Sequence, residues 1–535
     1  VSIDLNGEAA RTHASGEYIT RFEVSPDDEY LAYRENYHIY AVPLPPGGKP
    51  LTLSTSVTSA PMTRASGDGG NFPHFSNDGA ALHWALGASL FTTPTDALFT
   101  SGDDAYEAPA AGTSLAMTLS ADVPDGVVAL TGARIITMSD DDGGVIENGT
   151  LVVEGNRIVT IGGSNTPVPD GAAVVDLAGK TIIPGIIDAH AHGAQSRGVL
   201  IPQQNFENYA TLALGVTTIF DPSNEATSIF AADEMQRRGR ILAPRIFSTG
   251  NIVYGARSTY FADVNSLDDA REHVRRLKAQ GAISVKNYNQ PRREQRQQVA
   301  VAAREEGMLV VAEGGSLYHM DLSMVADGNT AIEHNLPQSV LYDDVLQFWR
   351  QTNVSYTPTL VVTYGGPTVE TYYYQETEVW KHPILSNFVP PHILEPRSVR
   401  RLTMPFDDYY HVPVSVQAKA LADQGVNVTI GAHGQREGLG SHWEIWAFAQ
   451  GGMSPVESLA TATILAAEKL GFDDDLGSLE AGKLADLVIL ESNPLEDIFS
   501  TDRLTHVMLN GRLYEAATLN EVSTGDRKTR PFYWQ

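Results

Sequence analysis

Residues 184–192 read Pro-Gly-Ile-Ile-Asp-Ala-His-Ala-His. A Pro-Gly pair followed by two β-branched residues predicts a short buried strand that ends in polar side chains. Side chains two apart in an extended chain share a face, so His190 and His192 can address one metal ion through imidazole nitrogens. Asp188 shares that face and is placed either to orient His190 or to reach the same ion. Two unrelated loop residues would give the same pair, so its meaning depends on what else arrives there.

From 186 to 468, apolar β-branched runs alternate with amphipathic helices. Eight runs qualify as strands: GIIDAHAH, VTTIFDP, RIFSTG, ISVKNY, MLVVAEG, TAIEHN, SYTPTLVV and VTIGAHG. Helices are expected over 266–281, 293–307, 415–425 and 454–471, several opening on Ser or Ser-Pro and stopping at Gly. The alternation predicts an α/β fold, a (β/α)₈ TIM barrel, with a doubly wound open sheet as the alternative. A barrel places its chemistry at the carboxy-terminal strand ends. The fourth strand brings Lys286 there and, two residues on, Tyr288. Lys286 is costly to bury unless paired or modified, and a salt bridge is its plain explanation. Tyr288 either steadies an oxyanion or lines the rim. The fifth strand brings Glu313, the sixth Glu333 and His334, and the eighth His433, in VTIGAHGQ (428–435). Glu333 alternates away from His334 and reads as structural. Imidazole and carboxylate donors converging in this way suit zinc, manganese, cobalt or iron. Other residues carry less weight. His273 reads as a surface helix residue, His319 as a candidate for the cavity wall, and His411 as a solvated loop residue. The aromatic insert 364–413 reads as either a lid or outer packing, and Trp443 as an inward residue of the next helix.

The flanks differ. Residues 22–45 and 72–98 echo each other, with Asp27 and Asp78 51 positions apart in similar turns. They resemble two blades of a β-propeller. Two blades cannot close a ring, so the upstream blades are expected on a separate chain or fragment. Short strands with glycine turns then fill 126–185 and return in 469–535, as one small β-domain built from both segments. The expected division is a partial propeller (1–125), the first part of a β-sandwich (126–185), the barrel (186–468), and the second part of the sandwich with a tail (469–535).

At the residues Pro184–His192, 286–296, 312–315, 332–337, 431–435 and 481–488 the chain resembles the amidohydrolase superfamily. More narrowly it resembles the subgroup with an N-terminal TolB-type β-propeller, near imidazolonepropionase and Xaa-Pro dipeptidase-like enzymes. The resemblance implies a distorted TIM barrel with an accessory β-sandwich and one or two divalent metal ions, zinc first. It implies that His190 and His192 bind the first metal, that a carboxylated Lys286 bridges two metals, and that His334 fills the sixth-strand ligand position. Two positions depart from the pattern: Glu313 stands where a histidine is usual, and His433 where an aspartate is usual. Glu313 and His433 are therefore candidates both as metal ligands and as the catalytic base.

The reading these residues favour is a metal-dependent hydrolase, acting on an amide or peptide C–N bond in a small substrate or short peptide. The alternatives are a cyclic amide or imidazolone hydrolase, a metal-dependent isomerase, and a non-catalytic binding protein. With 65 acidic and 37 basic residues the net charge is −28, which disfavours nucleic acid and anionic membranes as partners. There are no cysteines, which excludes disulfides and a thiol nucleophile. No apolar stretch approaches the roughly 20 residues that cross a bilayer. A soluble protein, cytoplasmic or exported, and a homo-oligomer are expected.

Overall fold

The computed structural model describes the whole chain except residues 57–58, 141–142, 199, 316 and 397–400. It contains two compact units: Val1–Leu119 with Asn251–Met308, and Ser120–Gly250 with Leu309–Gln535.

In the first unit the sequence echo becomes two four-stranded antiparallel sheets. One runs Ile19–Val24, Tyr30–Glu35, His38–Pro43 and Thr63–Arg64; the other runs Asn71–Phe75, Ala81–Leu86, Ser89–Pro94 and Thr113–Ser114. Their turns match. Ser25 donates to Asp27 (2.5 Å) and accepts from the Tyr30 amide (2.9 Å); Ser76 does the same with Asp78 (2.6 Å) and Ala81 (3.0 Å). No ring closes among the described residues. The helix Leu267–Gln280 starts with a Ser266–Asp269 capping box and stops at Gly281, whose φ of 118° needs a residue without Cβ. Arg275 of this helix grips Asp68 with two bonds (2.9 and 2.6 Å), and Arg276 lies 3.7 Å from the Tyr37 ring centre. The Tyr37 and His38 rings approach His273 on the same face, so His273 is buried rather than a surface residue. Strand Ser284–Tyr288 pairs in parallel with Val253–Tyr254 and carries Lys286, which is buried.

The second unit holds the other predicted strands. Ile186–Asp188, Val216–Asp221 and Arg245–Ser248 pair in parallel in that order. Leu309–Glu313, Ala331–Glu333 and Ser355–Thr357 do likewise. The eighth predicted strand makes only one bridge, Val428 to Tyr356. Beyond it, the Ile430 amide donates to the Thr461 carbonyl (3.1 Å) and the His433 amide to the His190 carbonyl (2.7 Å). The same contact breaks the helix expected over 454–471 into Pro455–Ala460 and Ile464–Leu470. The carbonyls of Thr461 and Ala462 receive the amides of Ile430 and Ile187 instead of the next helical turn. The result is an α/β fold consistent with a distorted TIM-barrel scaffold.

The two flanking segments join in one eight-stranded mixed sheet, in which Thr181–Pro184 lies antiparallel to Leu487–Leu490. Alternation along Leu487–Leu490 sends Leu487 and Ile489 to one apolar core and Val488 and Leu490 to another, so both faces are buried. The aromatic insert packs in part against a later helix: its Tyr373, from the helix Val369–Glu376, stacks on Trp443 at 5.6 Å and meets Trp446 at 5.1 Å. His411 opens the helix His411–Ala422 and is fully buried on Gln450 (3.0 Å), not solvated. His319 is exposed.

Burial pushes the imidazoles of His411 and His442 down to about 4. His442 is also locked between the Leu214 carbonyl (2.8 Å) and the Thr501 hydroxyl (3.1 Å). The unfolded chain therefore binds these protons first, so their stabilising effect is complete above the ordinary histidine value of about 6.5 and is lost as pH falls toward 4. Urea midpoints should fall between about pH 7 and 4.5, and less steeply in His442→Gln. An equal slope in the variant contradicts this assignment.

Candidate metal centre

The strand ends of the second unit bring four imidazoles together. Ring centres stand 5.0 Å apart for His190–His192, 4.9 Å for His190–His334, 5.2 Å for His190–His433, 4.6 Å for His192–His433 and 5.1 Å for His334–His433. Nitrogens of His190, His334 and His433 all lie within 4.8 Å of one another, which makes this a group able to hold a metal ion. His190 and His334 are buried and His433 is half-buried.

Hydrogen bonding decides which nitrogen each ring presents. His190 Nδ1 donates to Glu333 Oε2 (2.6 Å) and His192 Nδ1 donates to Asp221 Oδ1 (2.8 Å). His334 Nδ1 donates to Thr359 Oγ1 (2.6 Å), whose own hydrogen goes to the Pro358 carbonyl (2.8 Å). With Nδ1 protonated, a neutral imidazole has a bare lone pair on Nε2. His190 Nε2 and His192 Nε2 face each other at 3.2 Å, and His334 Nε2 faces Glu313 Oε2 at 3.5 Å. Lone pairs and a carboxylate turned on one another repel unless a cation lies among them. Tetrahedral ligands about 2.0–2.1 Å from zinc stand about 3.3–3.4 Å apart, so this donor set fits a divalent ion.

The surroundings hold the rings in place. Glu333 passes its second oxygen to Lys469 Nζ (2.7 Å), which also reaches the Ala189 carbonyl (3.3 Å) and the Thr357 hydroxyl. Glu333 was expected to point away from His334. Both side chains enter the centre because His334 leaves the strand in a left-handed conformation, φ 68°, which breaks the alternation. His433 and Thr359 are left-handed too, at φ 56° and 48°. Such strain in non-glycine residues collects at functional sites. Asp188 does not reach the cluster. Its Oδ1 accepts from the amides of His190 (3.2 Å) and Ala432 (3.0 Å), and its Oδ2 from Ser441 (3.0 Å), so it staples the first strand to the eighth segment.

His190, His192, Glu313, His334 and His433 thus converge. Lys286 and Tyr288 belong to the first unit, where Lys286 Nζ lies 5.1 Å from the Tyr288 ring centre and Tyr288 stacks on Tyr254 at 5.2 Å. Sequence reasoning missed Asp221, Thr359, Lys469 and Tyr364, whose hydroxyl donates to Glu313 (3.4 Å). Asp221 ends the second strand, as the chosen residues end theirs, and that signal was present. Lys469 lies on a helix and carried none.

Residues 181–514 match the amidohydrolase family. The chain belongs to that family. With its histidine centre it is a metal-dependent hydrolase. This amidohydrolase is 23% identical over 443 residues to an imidazolonepropionase of Shouchella clausii, covering 73% of this chain and 93% of that one. It is 24% identical over 400 residues to adenine deaminase 2 of a Bradyrhizobium species, covering 69% of this chain but 56% of the longer relative. Among solved structures, a Xaa-Pro dipeptidase with bound methionine shares the fold, with a TM-score of 0.56 at 22% identity, covering 73% of this chain and all of that one.

Lys469 and Glu333 are both buried. Removing one charge of a buried pair strands the other, so Lys469→Met should cost about 3–5 kcal/mol in urea unfolding. The double variant Lys469→Met/Glu333→Gln should recover part of that loss. Equal losses in the single and double variants would mean the two charges are not coupled.

Proposed function

We propose that this amidohydrolase cleaves an amide or peptide C–N bond in a small substrate or short peptide, with a divalent ion, zinc first, held by His190, His192 and His334. The observation that carries the reading is the pair of bare Nε2 atoms 3.2 Å apart, each with its Nδ1 bonded to a buried carboxylate. When bound, the ion supplies Lewis-acid polarisation of the carbonyl and acidifies water.

The side chains do the rest. Glu333 and Asp221 fix the tautomers and ring orientations of His190 and His192. His433, half-buried with its ring stacked 5.2 Å from that of His190, takes the proton of the attacking water and returns it to the leaving nitrogen. Glu313 adds a carboxylate to the donor set, and the Tyr364 hydroxyl steadies it. The proposal also includes the finer features the family resemblance implies. These are the (β/α)₈ barrel of 186–468, the accessory β-sandwich, the two N-terminal sheets as propeller blades, Lys286 as a carboxylated lysine, and Tyr288 as an oxyanion donor.

The test is hydrolysis of a panel of dipeptides, including Xaa-Pro, and N-acyl amino acids. Each is assayed as isolated, after chelation, and after zinc or manganese is restored. Activity that is lost with metal and regained with it is expected. In His433→Asn, turnover should fall by about 10²–10⁴-fold with metal content unchanged. Loss of metal in that variant would make His433 a ligand rather than the proton carrier. No C–N cleavage by the metal-loaded protein on any substrate would overturn the reading.

A further inference from the structure

The second unit has a second concave site, at the opposite end of its strands from the histidines. It is a cavity of about 440 Å³ beside Arg245, the first residue of the strand Arg245–Ser248. Several separate stretches of chain build it, among them 236–245, 509–519 and 527–530, with Asp122 and Gln204 from elsewhere. Its floor is apolar, with Ile241, Leu509 and Leu519 buried. Its walls carry seven Arg and Lys side chains against one carboxylate, Asp122, in a chain whose net charge is −28.

Four of those cations are already paired. Arg245 grips Asp486 (2.7 and 3.0 Å), Arg237 meets Asp233, and Arg512 and Arg527 share Asp122 (2.7 to 3.1 Å) and reach Glu521. Burial works against ionising Asp122, but the bonds from Arg527 and Arg512 hold its carboxyl down at about 2. Arg240, Lys528 and Arg530 make no ion pair among the described residues, and all three are exposed. The paired guanidinium groups fix the shape of the wall, and the three unpaired cations leave it positive. Asn510 and Gln204 line the same wall. Cations that converge on a concave surface, rather than spreading over a convex one, focus potential inward and bind anions by charge-assisted hydrogen bonds.

We propose that this cavity binds a small polyanion, a metabolite bearing at least two phosphate or carboxylate groups, at a site separate from the histidine centre. The volume suits a compact molecule of that kind. A single carboxylate would leave most of the positive wall unanswered.

The experiment is isothermal titration of the full chain at fixed ionic strength, with fructose 1,6-bisphosphate in one arm, tricarballylate in another, and acetate as the monoanion control. Saturable binding in either of the first two arms and none with acetate is expected, and the stronger arm identifies the anionic group. The variant Arg240→Gln/Arg530→Gln removes two exposed, unpaired side chains and should weaken binding by at least about tenfold. Lys528→Gln should weaken it by less. No saturable binding in either arm, or equal binding by the double variant, overturns the proposal.

Discussion

Three acceptors, Glu333, Asp221 and Thr359, take the Nδ1 hydrogens of His190, His192 and His334 and so turn the remaining nitrogens on one another. Much of the second unit serves that arrangement. One oxygen of Glu333 holds His190, and Lys469 reaches from the helix Ile464–Leu470 to bond the other. His334 and His433 adopt left-handed backbone, which costs energy, because only then do their rings reach the cluster. A close group of bare imidazole nitrogens beside a carboxylate gains nothing from packing. A divalent cation among those nitrogens would stabilise the group.

The frame around the centre is tied at its weakest place. The segment after Asn427 makes a single ladder bridge, so the ordinary register of a parallel sheet does not hold it. Asp188 bonds its Ala432 amide, the His190 carbonyl takes its His433 amide, and the broken helix at Thr461–Ala462 takes its Ile430 amide. Each of these bonds places the backbone within a residue or three of His433. There is no room for adjustment at Gly431 either, because a Cβ there would lie 2.7 Å from His190 Cβ and from Thr357 Cγ2. The position of His433 is thus fixed from several directions.

Strands whose ends carry the chemistry were legible in the sequence because period and composition are local properties. Ile186–Asp188, Leu309–Glu313 and Ala331–Glu333 appear where β-branched runs predicted them. The duplicated serine–aspartate turns of the N-terminal sheets were legible for the same reason. Features that depend on distant partners were not. His273 looks like a surface residue on its helix, yet Tyr37 and His38, more than 200 residues earlier in the chain, cover it. The role of Glu333 was hidden by alternation, which holds only while the backbone stays extended, and His334 leaves that region. Lys469 lies 136 residues from Glu333, and no spacing rule connects them. The basic cavity likewise forms only when several remote segments meet.

Anomalous diffraction from crystals of the metal-supplemented protein, collected on both sides of the zinc edge, tests the central claim most directly. The account predicts a peak within bonding distance of Nε2 of His190, His192 and His334. A fully supplemented crystal with no peak among those nitrogens, and with the rings still in this arrangement, would contradict it.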